Sequence, residues 1–319
     1  MPNTSAGAVR GFSRLNSIAA ALMTVLVFAL ILRRVPLEAL ATALRGADYR
    51  LFLLLMIPNT VFYFAWDTLV LAVVIGWFHG GLSYTDLLPA RAASYVVGFF
   101  NTNAGRGTLA VYLSRRLRAP FLQLGGTVMF LLLTEYTQLV LWALLGIFGF
   151  QSDVTAGVLL AAALVAAFWI VFFAGRWLIG PRDWAVLRTF RLATAGRYAG
   201  IVLLRAPMFL VSLCLHYYAT RAFGIEIPFS RMLTFLPVIF MTAGLPITVA
   251  HLGTTQAAWI LFFGAYAPAP RLLAFSLAAH LVFVSTRAVL GVILLPTAYH
   301  EVVSAGFRPS SAAQIQCRS

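Results

Sequence analysis

Apolar residues run along this chain in long blocks, and the polar positions between them mark where each block starts and stops. A hydrocarbon core about 30 Å thick is crossed by about 20 residues of helix. Six blocks approach or exceed that length. Residues 15–32 lie uncharged between Arg14 and Arg33, 51–78 carry only Asp67, and 121–150 carry only Glu135. Residues 154–175 carry no charge, 198–220 carry Arg205, and 272–296 carry Arg287. Arg33, Arg34, Val35 and Pro36 follow the first block in place of a small-residue cleavage signature, so that block is expected to be retained. Residues 35–48 read as a short amphipathic segment for the membrane interface, with Leu37, Leu40 and Leu44 on one side and Glu38 and Arg45 polar.

Two further stretches break the pattern. Residues 88–118 are apolar to Phe100, break at Asn101-Thr102-Asn103-Ala104-Gly105-Arg106-Gly107, resume from Thr108, and end in Arg115, Arg116 and Arg118. Residues 232–270 contain no Asp, Glu or Arg, yet are broken by Gly244, Pro246, His251 and Gly253. Each is awkward as a full crossing. Irregular backbone at membrane depth is tolerated where protein or a wet cavity surrounds it, and paired breaks in two halves of a chain point to a transport site. The fold expected is therefore all-α, a polytopic integral membrane helical bundle with two re-entrant or broken helix pairs. One transmembrane domain is expected over 1–300, followed by a polar tail over 301–319.

Composition sharpens this picture. Of 319 residues, 61% are apolar and 10% charged, against about 45–50% and 25% in soluble domains. With a mean hydropathy of +0.91, an ordinary soluble core is excluded. The net charge of +14 comes from 23 basic residues, all arginine. They fall mainly between apolar blocks, where they meet anionic headgroups rather than nucleic acid. The loop 176–197 holds five arginines against Asp183 and is expected in the cytoplasm under the positive-inside rule. That vote places both termini in the cytoplasm, although the arginines of 33–50 then fall outside. Cys214 and Cys317 suggest neither a disulfide nor a metal site.

The broken segments resemble the transmembrane, flippase-like region of the lysylphosphatidylglycerol synthase family, in its stand-alone form. The first family signature reads like Asn…Pro-Gly-Arg-Ala-Gly-Glu, and Asn101 through Thr108 occupy its place. The second reads like Leu-Pro-x-x-x-Gly-Gly-Leu-Gly-x-x-Glu, and Leu245 through Gln256 occupy it. A glutamate in the long third span is also typical, and Glu135 stands there. Thr108 and Gln256 replace the two signature acids, Asn103 replaces a proline, and His251 replaces a glycine, which implies a different substrate or coupling. The fused aminoacyl-transferring domain is not expected, because nothing polar and globular follows residue 300. The location expected is the bacterial cytoplasmic (inner) membrane.

Charge inside a span is costly and marks function or an internal partner. Asp67 has Asn59 as a nearby partner, and Arg205 is close enough to its block's end to snorkel. Glu135 and Arg287 read either as an interior ion pair or as parts of a polar cavity where arginine forks receive a phosphate. Helix N-termini at Gly105 or Gly253 would add backbone donors. The substrate-binding candidates are Asn101, Asn103, Gly105, Arg106, Thr108, Glu135, Arg205, Pro246, His251, Gly253, Gln256 and Arg287. Asn101 and Asn103 serve equally as helix caps, and His280 reads as packing. No nucleotide-binding, zinc-protease or thiol motif occurs, so no catalytic residue, metal or cofactor is expected. The leading expectation is a lipid transporter for an anionic phospholipid or lipid-linked intermediate. A membrane-embedded transferase acting on an isoprenoid or polyprenyl lipid, and a non-transporting scaffold for a lipid-synthesis enzyme, stay open.

Overall fold

The computed structural model describes residues 23–33, 35–100, 102–150, 160, 163, 166–167, 184–243 and 253–306. Every regular element among them is a helix, and the chain is a helical integral membrane bundle. A short α1 (Met23–Arg33) leads to α2 (Leu37–Arg45), α3 (Tyr49–Phe78), α4 (Tyr84–Phe100), α5 (Thr102–Leu117) and α6 (Phe121–Phe150). After the expected span at 154–175, which lies largely outside the described residues, come α7 (Arg188–Leu192) and α8 (Ala195–Ala219). The chain then continues through α9 (Phe229–Ala243), α10 (Thr254–Phe263) and α11 (Ala269–Gly306).

Among the described residues four helices are long and apolar enough to cross a bilayer: Tyr49–Phe78, Phe121–Phe150, Ala195–Phe223 and Ala269–Leu294. These correspond to four of the six blocks. Their starts follow local chemistry. Asp48 caps α3 by accepting from the backbone N–H groups of Arg50 and Leu51, each at 3.1 Å, and Thr194 caps α8 through the N–H of Arg197. The amphipathic reading of 35–48 needs one change. Leu40 and Leu44 pack on the core, but Leu37 is 65% exposed, because it sits in the first turn before the helix reaches the bundle.

The break expected over 101–107 is shorter than the sequence suggested. Helix resumes at Thr102, so Gly105, Arg106, Gly107 and Thr108 lie within α5. The two arms fold back on each other. Asp86 near the start of α4 pairs with Arg116 near the end of α5 at 3.6 Å, while Gly98 and Gly105 touch close to the turn. A β-carbon on Gly105 would sit 2.7 Å from the Gly98 Cα, so glycine sets how closely the arms approach. An arm of 17 residues is about 25 Å long, short of a comfortable crossing. The second broken segment has the same form. Phe235 of α9 stacks on Phe262 of α10 at 4.9 Å and meets Phe263 edge-on, which folds the arms about the intervening 244–252.

The helices form two units with the same order of elements, α3–α6 and α8–α11. The leading helices α3 and α8 lie antiparallel: Phe52 meets Phe223, Ser212 donates to Asn59, and the Trp66 indole donates to the Leu204 carbonyl. Each hairpin's first arm packs on the long helix that closes the other unit. Arm α4 lies on α11, where a β-carbon on Gly291 would meet Val96 and the Ala92 carbonyl. Arm α9 lies on α6, where a β-carbon on Gly146 would stand 2.7 Å from the Thr234 Cα. A glycine in the latter part of each long helix thus admits the opposite hairpin.

Candidate functional site

Between the two units lies a cavity of about 340 Å³. Glu135 lines it from the midpoint of α6, and Asn59, Tyr63 and Asp67 line it from α3 at helical spacing. Arg91, Ser94, Tyr95 and Gly98 come from α4, and Gly105 and Arg106 from α5. The second unit supplies Ser212 and His216 from α8, Thr255 from α10, and Ser276, His280 and Arg287 from α11.

One end of the cavity is a charged network. Arg91 forms an ion pair with Asp67, and the Tyr95 hydroxyl donates to the same carboxylate at 2.9 Å. Arg205 is the largest fully buried side chain, at 1% exposure. Its Nη1 stands 3.7 Å from Asp67 and 3.9 Å from Glu135, and its Nη2 donates to the Leu131 carbonyl at 3.3 Å. Tyr63 donates to Glu135 at 3.1 Å. The Arg287 guanidinium lies 3.3 Å above the centre of the Tyr95 ring, a cation–π contact, and among the described residues no carboxylate pairs with it. Arg91, Arg205 and Arg287 thus gather about two carboxylates, and Arg106 also lines the cavity. The Nε atoms of Arg91, Arg205 and Arg287 are buried without a hydrogen-bond partner among the described residues. Such donors are costly to leave unmade, and together they form a site suited to an anion.

The candidates named from sequence divide accordingly. Gly105, Arg106, Glu135 and Arg287 line the cavity, and Arg205 braces it from behind. Arg205 does not snorkel, because two carboxylates lie within reach of its head group. Asp67 is satisfied by Arg91, Tyr95 and Arg205 rather than by Asn59, which pairs with Ser212 at 2.9 Å. Glu135 takes Arg205, not Arg287, as its ion partner. Thr108 donates to the Ala104 carbonyl within its own helix and does not line the cavity. Gln256 is fully buried and accepts from the Gly253 N–H at 2.7 Å, a helix cap. Gly253 has φ of +98° and packs against Val27, which explains glycine there without a ligand. The N-terminal donor roles considered for Gly105 and Gly253 are therefore replaced by packing and capping. Asn101, Pro246 and His251 lie outside the described residues. Asn103 falls in the first turn of α5.

Sequence reading missed Tyr63, Arg91, Tyr95, Asn59, Ser212 and His216 as site residues. A signal was present. Asn59, Tyr63 and Asp67 recur every four residues in an apolar helix, as do Arg91 with Tyr95 and Ser212 with His216, and that spacing places each set on one face. No protein-family model matches this chain, and no curated protein matches it either.

Proposed function

We propose that this protein is a lipid translocator of the bacterial cytoplasmic membrane, binding the anionic headgroup of a phospholipid or lipid-linked intermediate in the cavity while the tail stays in hydrocarbon. The observation that carries this reading is the excess of arginine over carboxylate halfway along the spanning helices, with buried guanidinium donors still to be satisfied. Moving a charged headgroup through hydrocarbon without replacing its hydration costs several kcal/mol or more; guanidinium forks supply that replacement. Two units of the same plan around a central site support a transport role by the logic of alternating access. The resemblance to the flippase-like region of lysylphosphatidylglycerol synthases points the same way, and both termini are assigned to the cytoplasm on the arginine distribution. Neutral residues at 108 and 256 argue against proton coupling through those positions and leave passive equilibration or coupling through Glu135.

The test is transbilayer movement of a labelled anionic phospholipid in proteoliposomes. Wild-type protein is expected to accelerate it, and Arg106→Ala and Glu135→Gln each to slow it at least tenfold while the protein elutes as a folded species. If the wild type binds no headgroup and moves none of a broad lipid panel, the scaffold reading takes its place.

A further inference from the structure

The charged network fills only one end of the cavity. Along α3 the lining changes from Asp67 through Tyr63 to Asn59, about 12 Å along the axis. Along α11 it changes from Arg287 to Ser276, and along α8 it runs from the neighbourhood of Arg205 to Ser212 and His216. Because α3 runs antiparallel to α8 and alongside α11 in the same direction, with Tyr63 against Phe283 and Phe52 against Phe275, these three changes coincide. The far end is uncharged, with Asn59, Ser212 and His216 set among apolar side chains such as Met56, Phe209 and Trp259.

Its polar groups are donors and acceptors suited to hydroxyls. Ser212 donates to Asn59 Oδ1. The Ser212 backbone carbonyl can only accept, so the neutral His216 ring carries its proton on Nδ1, 2.7 Å away, and its Nε2 is an acceptor. Thr255 Oγ1, also on the lining, is buried without a hydrogen-bond partner among the described residues. Among the described residues no carboxylate lines this end. The two carboxylates at the other end are already held by Arg91, Arg205, Tyr63 and Tyr95, and an ammonium placed there would stand among the guanidinium groups of Arg91, Arg205 and Arg287.

Building on the translocator reading above, we infer that the cavity selects a lipid phosphodiester whose headgroup bears hydroxyls and no amine. The phosphate occupies the arginine end and the hydroxyls reach Asn59, Ser212 and His216. An added amine is disfavoured by repulsion from the arginines and by the lack, among the described residues lining the uncharged end, of a carboxylate to balance its charge.

Full-length protein in phosphatidylcholine vesicles, with trace fluorescent lipids, tests this. Phosphatidylglycerol and a glycosylated polyprenyl phosphate both meet the rule; aminoacylated phosphatidylglycerol and phosphatidylethanolamine do not. At least one of the first pair is expected to move ten times faster than either amine, and which one leads identifies the polyol or sugar source. Asn59→Asp, which adds a carboxylate at the uncharged end with little change in shape, is expected to shift the preference at least tenfold toward the aminated lipids. Lipid binding by native mass spectrometry on Asn59→Asp and on the milder Ser212→Ala reads the same preference without requiring turnover. Equal movement of hydroxylated and aminated lipids overturns the inference and leaves translocation standing. Failure to bind or move any of the four overturns both.

Discussion

The two units of this bundle have the same plan and different chemistry. Each has a leading helix, a hairpin and a long closing helix, and each hairpin leans on the other unit's closing helix. Yet both cavity carboxylates, Asp67 and Glu135, come from the first unit, while the second contributes Arg205, Arg287 and a set of neutral polar groups. The architecture is symmetrical where helices touch through glycine and apolar surface, and asymmetrical where side chains meet the cavity. Packing therefore sets the shared frame, and the ionisable residues make it directional.

The sharpest test of that division is to remove one arginine from each kind of environment. Arg205→Met leaves Asp67 without one partner and Glu135 without an ion pair. Breaking a buried pair this way typically costs about 3–5 kcal/mol, so a large loss of stability is expected in detergent unfolding. Arg287→Met removes only the stacking on Tyr95 and Phe283, a loss of about 0.5–2 kcal/mol. Equal losses would mean that Arg205 is not the hub of the network.

The glycine contacts give a smaller contrast within the symmetrical frame. Gly146→Ala presses a β-carbon against the Thr234 main chain, while Gly291→Ala meets mainly the Val96 side chain. Overpacking of this kind costs about 1–3 kcal/mol, and the first substitution is expected to fall at the upper end and the second near the lower. Thermal unfolding of the two variants side by side would show the order.

The smallest effect concerns a feature with no counterpart in the second unit. His79, just past α3, lies between Gln123 and Thr127, with Thr127 bonded to Thr189 in α7. Burial, helped by the nearby Arg188 charge, holds its imidazole below the ordinary value. An unfolded histidine takes up its proton near pH 6.5, before the folded one does, so the site's contribution is present above that pH and is lost as pH falls below it. Protection factors for amide exchange at residues 188–193, corrected for the intrinsic pH dependence of exchange, are expected to fall between pH 7 and pH 5.5, and His79→Gln to flatten that dependence.

Much of the frame was legible in the sequence. The lengths of the apolar blocks located α3, α6, α8 and α11, and the glycine-rich interruptions located both hairpins. Hydropathy carries no information on partners, however. It could not pair Glu135 with Arg205, 70 residues apart, or distinguish a glycine needed for close approach, such as Gly105, from one offering backbone donors. Nor did it separate a capping glutamine at 256 from a binding one, since both are polar residues at a helix start. The four-residue spacing of Asn59, Tyr63 and Asp67 did encode the cavity face, but an apolar block with one charge draws attention to the charge alone.

The exchange of hairpin contacts between units also imposes an order in time. Phe100 ends α4, and Ala269 opens its partner α11, about 170 residues later, or roughly 8–34 s at ribosomal rates of about 5–20 residues per second. Throughout that interval the first hairpin is made while the surface it leans on does not yet exist, with Arg91 and Asp67 already in place to neutralise each other. The second hairpin has no such wait, because α6 precedes it. Biogenesis of this chain therefore favours early pairing of Asp67 with Arg91, and an insertase that shelters α4 and α5 until α11 has been made would act on the first unit and not the second.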